Sequence, residues 1–150
     1  MSELNDLYQE VIVDHSMRPH NYHAMADATR KAEGYNPLCG DQVTVYLKLD
    51  GDTIRDVSFE GRGCAISKAS ASVLTEAVKD KTRAQAQALF DAFRRLVTEG
   101  PVPAAEEASL GKLAAFSGVH EFPTRVKCAV LAWHALHSAL EAKTGTVSTE

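Results

Sequence analysis

The chain keeps a period of two from Gln42 to Leu49, turns at Asp50-Gly51, and switches to a helical period after Cys64. Val43, Val45, Leu47 and Leu49 interleave with Gln42, Thr44, Tyr46 and Lys48, the pattern of a half-buried strand. Asp50-Gly51 is a hairpin signal, and the return strand runs through Ile54, Val57 and Phe59. Ile54 is out of phase with the other two, which predicts a bulge or a longer turn. From Cys64 to about Val78, Ile66, Ser70, Val73 and Ala77 share one helical face. Thr82-Arg83-Ala84-Gln85 fits a capping box, and the helix behind it stripes Ala86, Leu89, Phe90, Phe93 and Val97. Gly100-Pro101-Val102-Pro103 ends that helix. A short helix over 110–116 follows, then a last one after Pro123 that buries Val126, Ala129, Val130, Trp133 and Leu140.

Upstream of the strands, Leu4, Leu7, Tyr8 and Val11 mark an amphipathic helix over 4–17 that Pro19 stops. Residues 18–37 read as a polar, irregular connection. A helix, an antiparallel hairpin and then further helices predict an α+β domain. Its sheet would be small and antiparallel, with about three strands and the helices packed on one face. The 150 residues fit one domain, 1–150, with a real core and a tail that frays from about 143.

Net charge is -4 and no block of like charge is long, so a nucleic-acid binder is disfavoured. The N-terminus lacks an apolar signal core, and no run approaches the ~18 apolar residues of a membrane span. The expectation is a cytoplasmic protein with no membrane contact. The 3 cysteines are widely spaced, which argues against a disulfide scaffold.

Each cysteine stands at a junction of elements. Cys39 lies in Asn36-Pro37-Leu38-Cys39-Gly40-Asp41, where Gly40 can take a backbone shape closed to other residues and turn Cys39 and Asp41 toward one ion. Cys64 follows Gly61-Arg62-Gly63 and opens a helix, where the dipole favours a thiolate. Cys128 sits early in the last helix, on a side with Ala132, Ala135 and Ala139. Taken singly, these residues also suit a turn, a buried small side chain and close helix packing. Together, Cys39, Asp41, Cys64 and Cys128 form a donor set suited to tetrahedral zinc. Three thiolates and a carboxylate more than neutralise a dication, and Arg125 and Lys127 are the cations at hand. His120 is the reserve ligand. Of His134 and His137, one should be packed and the other solvent-facing. His15, His20 and His23 lie near the end of the first helix and could contact a partner. No phosphate loop, dinucleotide fingerprint or nucleophile elbow is present.

These motifs resemble the IscU/SufU/NifU-N family of iron–sulfur cluster assembly proteins. Leu7 to His15 with Arg18-Pro19 is similar to the family's N-terminal segment. Asn36 to Asp41, Gly61 to Ser67 with Ala71-Ser72, and Pro123 to Cys128 are similar to its three cysteine motifs. IscU-type members carry a histidine immediately before the third cysteine, and here that position is Lys127. The spacer between Cys64 and Cys128 is also longer, with the extra segment within 82–119. Both features look like the SufU branch. That resemblance implies a zinc-dependent sulfurtransferase with Cys39, Asp41, Cys64 and Cys128 as zinc ligands. It further implies Cys39 as sulfur acceptor, Arg125 as the nearby basic residue that supports the exchange, and a SufS-type cysteine desulfurase as partner. Downstream iron–sulfur assembly proteins would receive the sulfur. Two other functions stay open: a scaffold that builds a [2Fe-2S] cluster on the same ligands, and a structural-zinc interaction module.

Overall fold

The computed structural model describes residues 3–37, 40–142 and 146–148. Helix α1 (Glu3–Met17) leads into a sheet of β1 (Arg30–Asn36), β2 (Asp41–Asp50) and β3 (Thr53–Arg62). Helices α2 (Ala65–Val78), α3 (Arg83–Glu99) and α4 (Ala104–Leu110), a 3-10 run (Gly111–Glu121) and helix α5 (Pro123–Leu140) follow, then strand β4 (Thr146–Ser148). The sheet order is β3-β2-β1-β4. The first three strands are antiparallel, and β4 pairs parallel with β1. The α+β class with helices on one sheet face is therefore observed.

The inner face of the sheet is apolar where the alternation predicts it. Val43, Val45 and Leu47 of β2 and Ile54, Val57 and Phe59 of β3 are buried. They pack beneath α5, which crosses β1 and β2, and α2, which lies against β3 and α5. The phase break at Ile54 is a bulge: Lys48 pairs with Asp56 and Leu49 with Ile54, so Arg55 is the extra residue. Gly51, at φ 61°, supplies the left-handed residue of the β2–β3 turn.

Three elements depart from the sequence reading. Strand β1 occupies part of the stretch read as irregular. Its inward residues are Ala32, Gly34 and Asn36, so no apolar alternation announces it. Gly34 is set by packing, since a Cβ there would meet Leu131 Cδ1 of α5 at 3.1 Å. The short helix over 110–116 is instead α4, which ends at Leu110, followed by the 3-10 run that buries Leu113 and Phe116. The tail expected to fray contributes β4. Residues 143–145 and 149–150 lie outside the described residues, as do the side chains of Leu4 and Leu7.

Thr82 and Gln85 form the expected capping box at the start of α3. The α3 stripe then meets α5 around Trp133, which is fully buried and stacked on Phe90 (5.7 Å between ring centroids) and Phe93 (5.4 Å). Trp133→Ala would empty the centre of this cluster and is expected to cost ~3–5 kcal/mol. Urea denaturation monitored by circular dichroism reads this as a lower midpoint at unchanged slope. No helix among the described residues is long and apolar enough to cross a membrane.

Candidate metal centre

The β1–β2 hairpin, the start of α2 and the start of α5 meet at one end of the sheet. Asn36 pairs with Asp41 across the hairpin, so the turn at 37–40 carries the first cysteine motif. The Gly40 N–H donates to the Asn36 carbonyl at 2.8 Å, and Gly40 takes φ 75°, the left-handed conformation its sequence position anticipates. Cys39 and Leu38 lie outside the described residues.

Asp41 begins β2 with its side chain turned inward, 1% exposed. Its Oδ1 accepts the backbone N–H of Cys64 at 2.9 Å, and its Oδ2 faces the Cys64 sulfur at 3.8 Å. Cys64 is the N-cap of α2, and its sulfur accepts the Ser67 N–H at 3.5 Å. The Cys64 sulfur thus faces the amide end of α2. Cys128 is fully buried on α5. Its sulfur lies 3.7 Å from the donating Nδ2 of Asn36 and 3.7 Å from the Thr124 carbonyl.

Asp41 Oδ, Cys64 Sγ and Cys128 Sγ all lie within 4.8 Å of one another. Tetrahedral zinc with Zn–S of ~2.3 Å and Zn–O of ~2.0–2.2 Å separates S from O by about 3.5–3.7 Å. The observed 3.8 Å between Asp41 Oδ2 and Cys64 Sγ is close to that span. The donor set therefore fits a zinc-class ion, and Asn36 and the Ser67 amide are outer partners aimed at its two sulfurs.

The sequence reading did not single out Asn36. A buried asparagine before a turn is an ordinary strand end until the fold puts Cys128 beside it. Gly63 was also unassigned. A Cβ there would collide with the Asp41 carboxylate, so only a glycine lets the segment after β3 pass this close to it. Gly63→Ala is expected to displace Asp41 from the Cys64 amide and to weaken zinc binding by at least ~10-fold. A competition titration against a chromogenic chelator measures this.

The other candidates lie elsewhere. Arg125 is exposed in the first turn of α5, and Lys127 is half-buried beside Cys128. His120 bonds the Ser117 carbonyl at 2.7 Å and packs against Gly100, so it does not join the sulfur cluster. His134 stands edge-on to Phe90 at 5.2 Å, and burial holds it below the ordinary histidine range. His137 pairs with Glu141 at the half-exposed end of α5. His15 is buried, and burial, with His20 next to it, likewise holds its pKa down.

The family model for the NifU-like N terminal domain matches residues 7–129. The chain belongs to this family. It is 43% identical over 141 residues to a Streptococcus pyogenes protein named iron–sulfur cluster assembly scaffold protein IscU, covering 94% of this chain and 87% of the relative. It is 38% identical over 144 residues to a Bacillus subtilis protein named zinc-dependent sulfurtransferase SufU, covering 96% of each. A crystal structure from Fervidobacterium islandicum, described as a scaffold protein for the SUF system, superposes with TM-score 0.81 at 38% identity. That match covers 91% of this chain and 98% of the other. The family thus places the chain in iron–sulfur cluster assembly, and its near relatives bear names for two different tasks. A zinc-dependent relative suits the Asp41–Cys64–Cys128 cluster; relatives named as scaffolds suit a cluster on the same residues.

Proposed function

We propose that this protein is a zinc-dependent sulfurtransferase that takes persulfide sulfur from a SufS-type cysteine desulfurase and hands it on for iron–sulfur cluster assembly in the cytoplasm. The observation that carries the reading is the donor set. Among the described residues it brings Asp41, Cys64 and Cys128 together with no histidine, and Lys127 stands where an IscU-type scaffold has one. The full-length likeness to a relative named zinc-dependent sulfurtransferase supports it.

Asp41, Cys64 and Cys128, with Cys39 from the adjoining turn, would hold the ion. Bound zinc supplies positive charge that keeps thiols ionised at neutral pH. The transfer itself is thiol exchange. The Cys39 thiolate attacks the terminal sulfur of the desulfurase persulfide. A new S–S bond forms at Cys39, the old one breaks, and its electron pair leaves on the desulfurase cysteine. No external oxidant or reductant is needed. Arg125, at the exposed start of α5, would offset the negative charge that gathers as two sulfur anions meet. Phe122, 58% exposed beside it, gives a docking partner an apolar foothold.

The likeness to a relative named as a scaffold favours a second reading, in which a [2Fe-2S] cluster is cargo on the same residues. Two measurements separate them. Sulfur transfer gives retained zinc and faster desulfurase turnover when the protein is added. Scaffolding gives a stable, transferable cluster after anaerobic addition of iron and sulfide.

A further inference from the structure

Helix α2 ends on a second group of donors. Cys64 caps its start, and Glu76 lies in its last turns, roughly 18 Å further along the axis at ~1.5 Å per residue. There the end of α1 and the segment after it bring two imidazoles onto the Glu76 carboxylate. We propose that His15, His20 and Glu76 bind a second divalent cation of the zinc class, separate from the sulfur centre.

The spacing fits an ion. The three ligand atoms lie within 4.8 Å of one another. His15 Nε2 is 3.6 Å from Glu76 Oε1, and His20 Nδ1 is 3.1 Å from Oε2. Nitrogen and oxygen ligands at ~2.0–2.2 Å around a tetrahedral ion are about 3.3–3.5 Å apart, so each imidazole stands within a few tenths of an ångström of that span from one of the two Glu76 oxygens. Two nitrogens and one carboxylate select zinc, nickel or copper over magnesium or calcium.

The outer partners are in place too. His15 is buried, and its Nδ1 lies 2.6 Å from Ser72 Oγ. The same oxygen accepts the backbone N–H of His20 at 2.7 Å. With Nε2 on a metal, Nδ1 carries the proton and donates to Ser72, whose two lone pairs serve both N–H groups. Ser72 therefore orients one ligand and positions the backbone of the other. His20 and Glu76 are 39% and 37% exposed, which leaves an entry path and room for a solvent ligand.

Charge also favours a cation here. The carboxyl end of α2 is the negative end of its dipole, and the last turn of α2 has no basic residue. The nearby cation comes from the 3-10 run: Lys112 Nζ lies 3.2 Å from Glu76 Oε1. It occupies Oε1, the oxygen that also faces His15 Nε2, and opposes a metal there electrostatically. A simple ion-pair cluster would need Lys112 for stability, whereas a metal site would bind more tightly without it.

The test uses the full-length protein with its sulfur centre already loaded with zinc. Equilibrium dialysis against Zn²⁺, read by metal analysis, should show a second equivalent on the wild type. His20→Ala and Glu76→Gln, both at partly exposed positions, should each weaken that equivalent by at least ~10-fold while keeping the first. Lys112→Ala should tighten it. With Co²⁺, the second equivalent should add weak d–d bands and no sulfur-to-cobalt charge transfer. The proposal is overturned by a single equivalent on the wild type, by an undiminished second equivalent in His20→Ala, by weaker binding in Lys112→Ala, or by charge-transfer intensity that grows with the second equivalent. None of these readouts depends on sulfur transfer.

Discussion

Cys39→Ser is expected to bring desulfurase turnover down to the rate of the desulfurase alone, while circular dichroism and the melting profile stay those of a folded protein. A serine hydroxyl at neutral pH is not an anion and cannot accept a sulfane sulfur. Loss of the attacking group removes the whole transfer step rather than a fraction of it. The fold should survive because its core is built elsewhere. The inner faces of β2 and β3 lie under α2 and α5, and Trp133 is wedged against α3. A structural-zinc module gives the opposite pattern, in which the substitution costs folding and there is no turnover to lose.

Cys128→Ser is expected to abolish zinc binding. The Cys128 sulfur is fully buried between the Asn36 amide and the Thr124 carbonyl, so the substitution removes a thiolate ligand where no other anion can enter. Zinc should be lost at any practical concentration. The cost is set by linkage: a site held at about 1,000 times its Kd contributes ~4 kcal/mol to folding. For a chain of this size that corresponds to a fall in Tm of roughly 8–16 °C. The variant should still unfold in one cooperative transition, because a chain of 150 residues builds a core that does not depend on the metal. Chelation of the wild type should give a similar fall, and scanning calorimetry measures both.

Much of this was legible before the fold was known. The alternation of β2, the Asp50-Gly51 turn, the bulge near Ile54, the Thr82 cap and the stripes of α3 and α5 are local signals that tertiary packing left unchanged. Asp41, Cys64 and Cys128 stand out in the sequence as a set, since each alone suits an ordinary role and only the three junctions taken together suggest one site; the fold brings their ligand atoms within 4.8 Å of one another. The losses have one physical origin. Strand β1 hides because α5 presses so close to Gly34 that its inner face carries Ala32, Gly34 and Asn36 instead of branched apolar residues. Asn36 and Glu76 acquire chemistry only from partners far along the chain, Cys128 for one and His15 and His20 for the other. Gly63 looked like part of a turn until Asp41 was seen to fill the space its side chain would need.

On the proposed mechanism the sulfur centre carries sulfur on Cys39 and keeps its metal while doing so. The most direct measurement incubates the full-length protein anaerobically with a SufS-type desulfurase and cysteine. Intact-mass and peptide mass spectrometry are then combined with metal analysis of the same sample. The expected result is one added sulfur atom on the Cys39 peptide, with the zinc content of the sulfur centre unchanged. An unmodified Cys39 beside accelerated desulfurase turnover, or sulfur on Cys64 or Cys128 with zinc released, would contradict it.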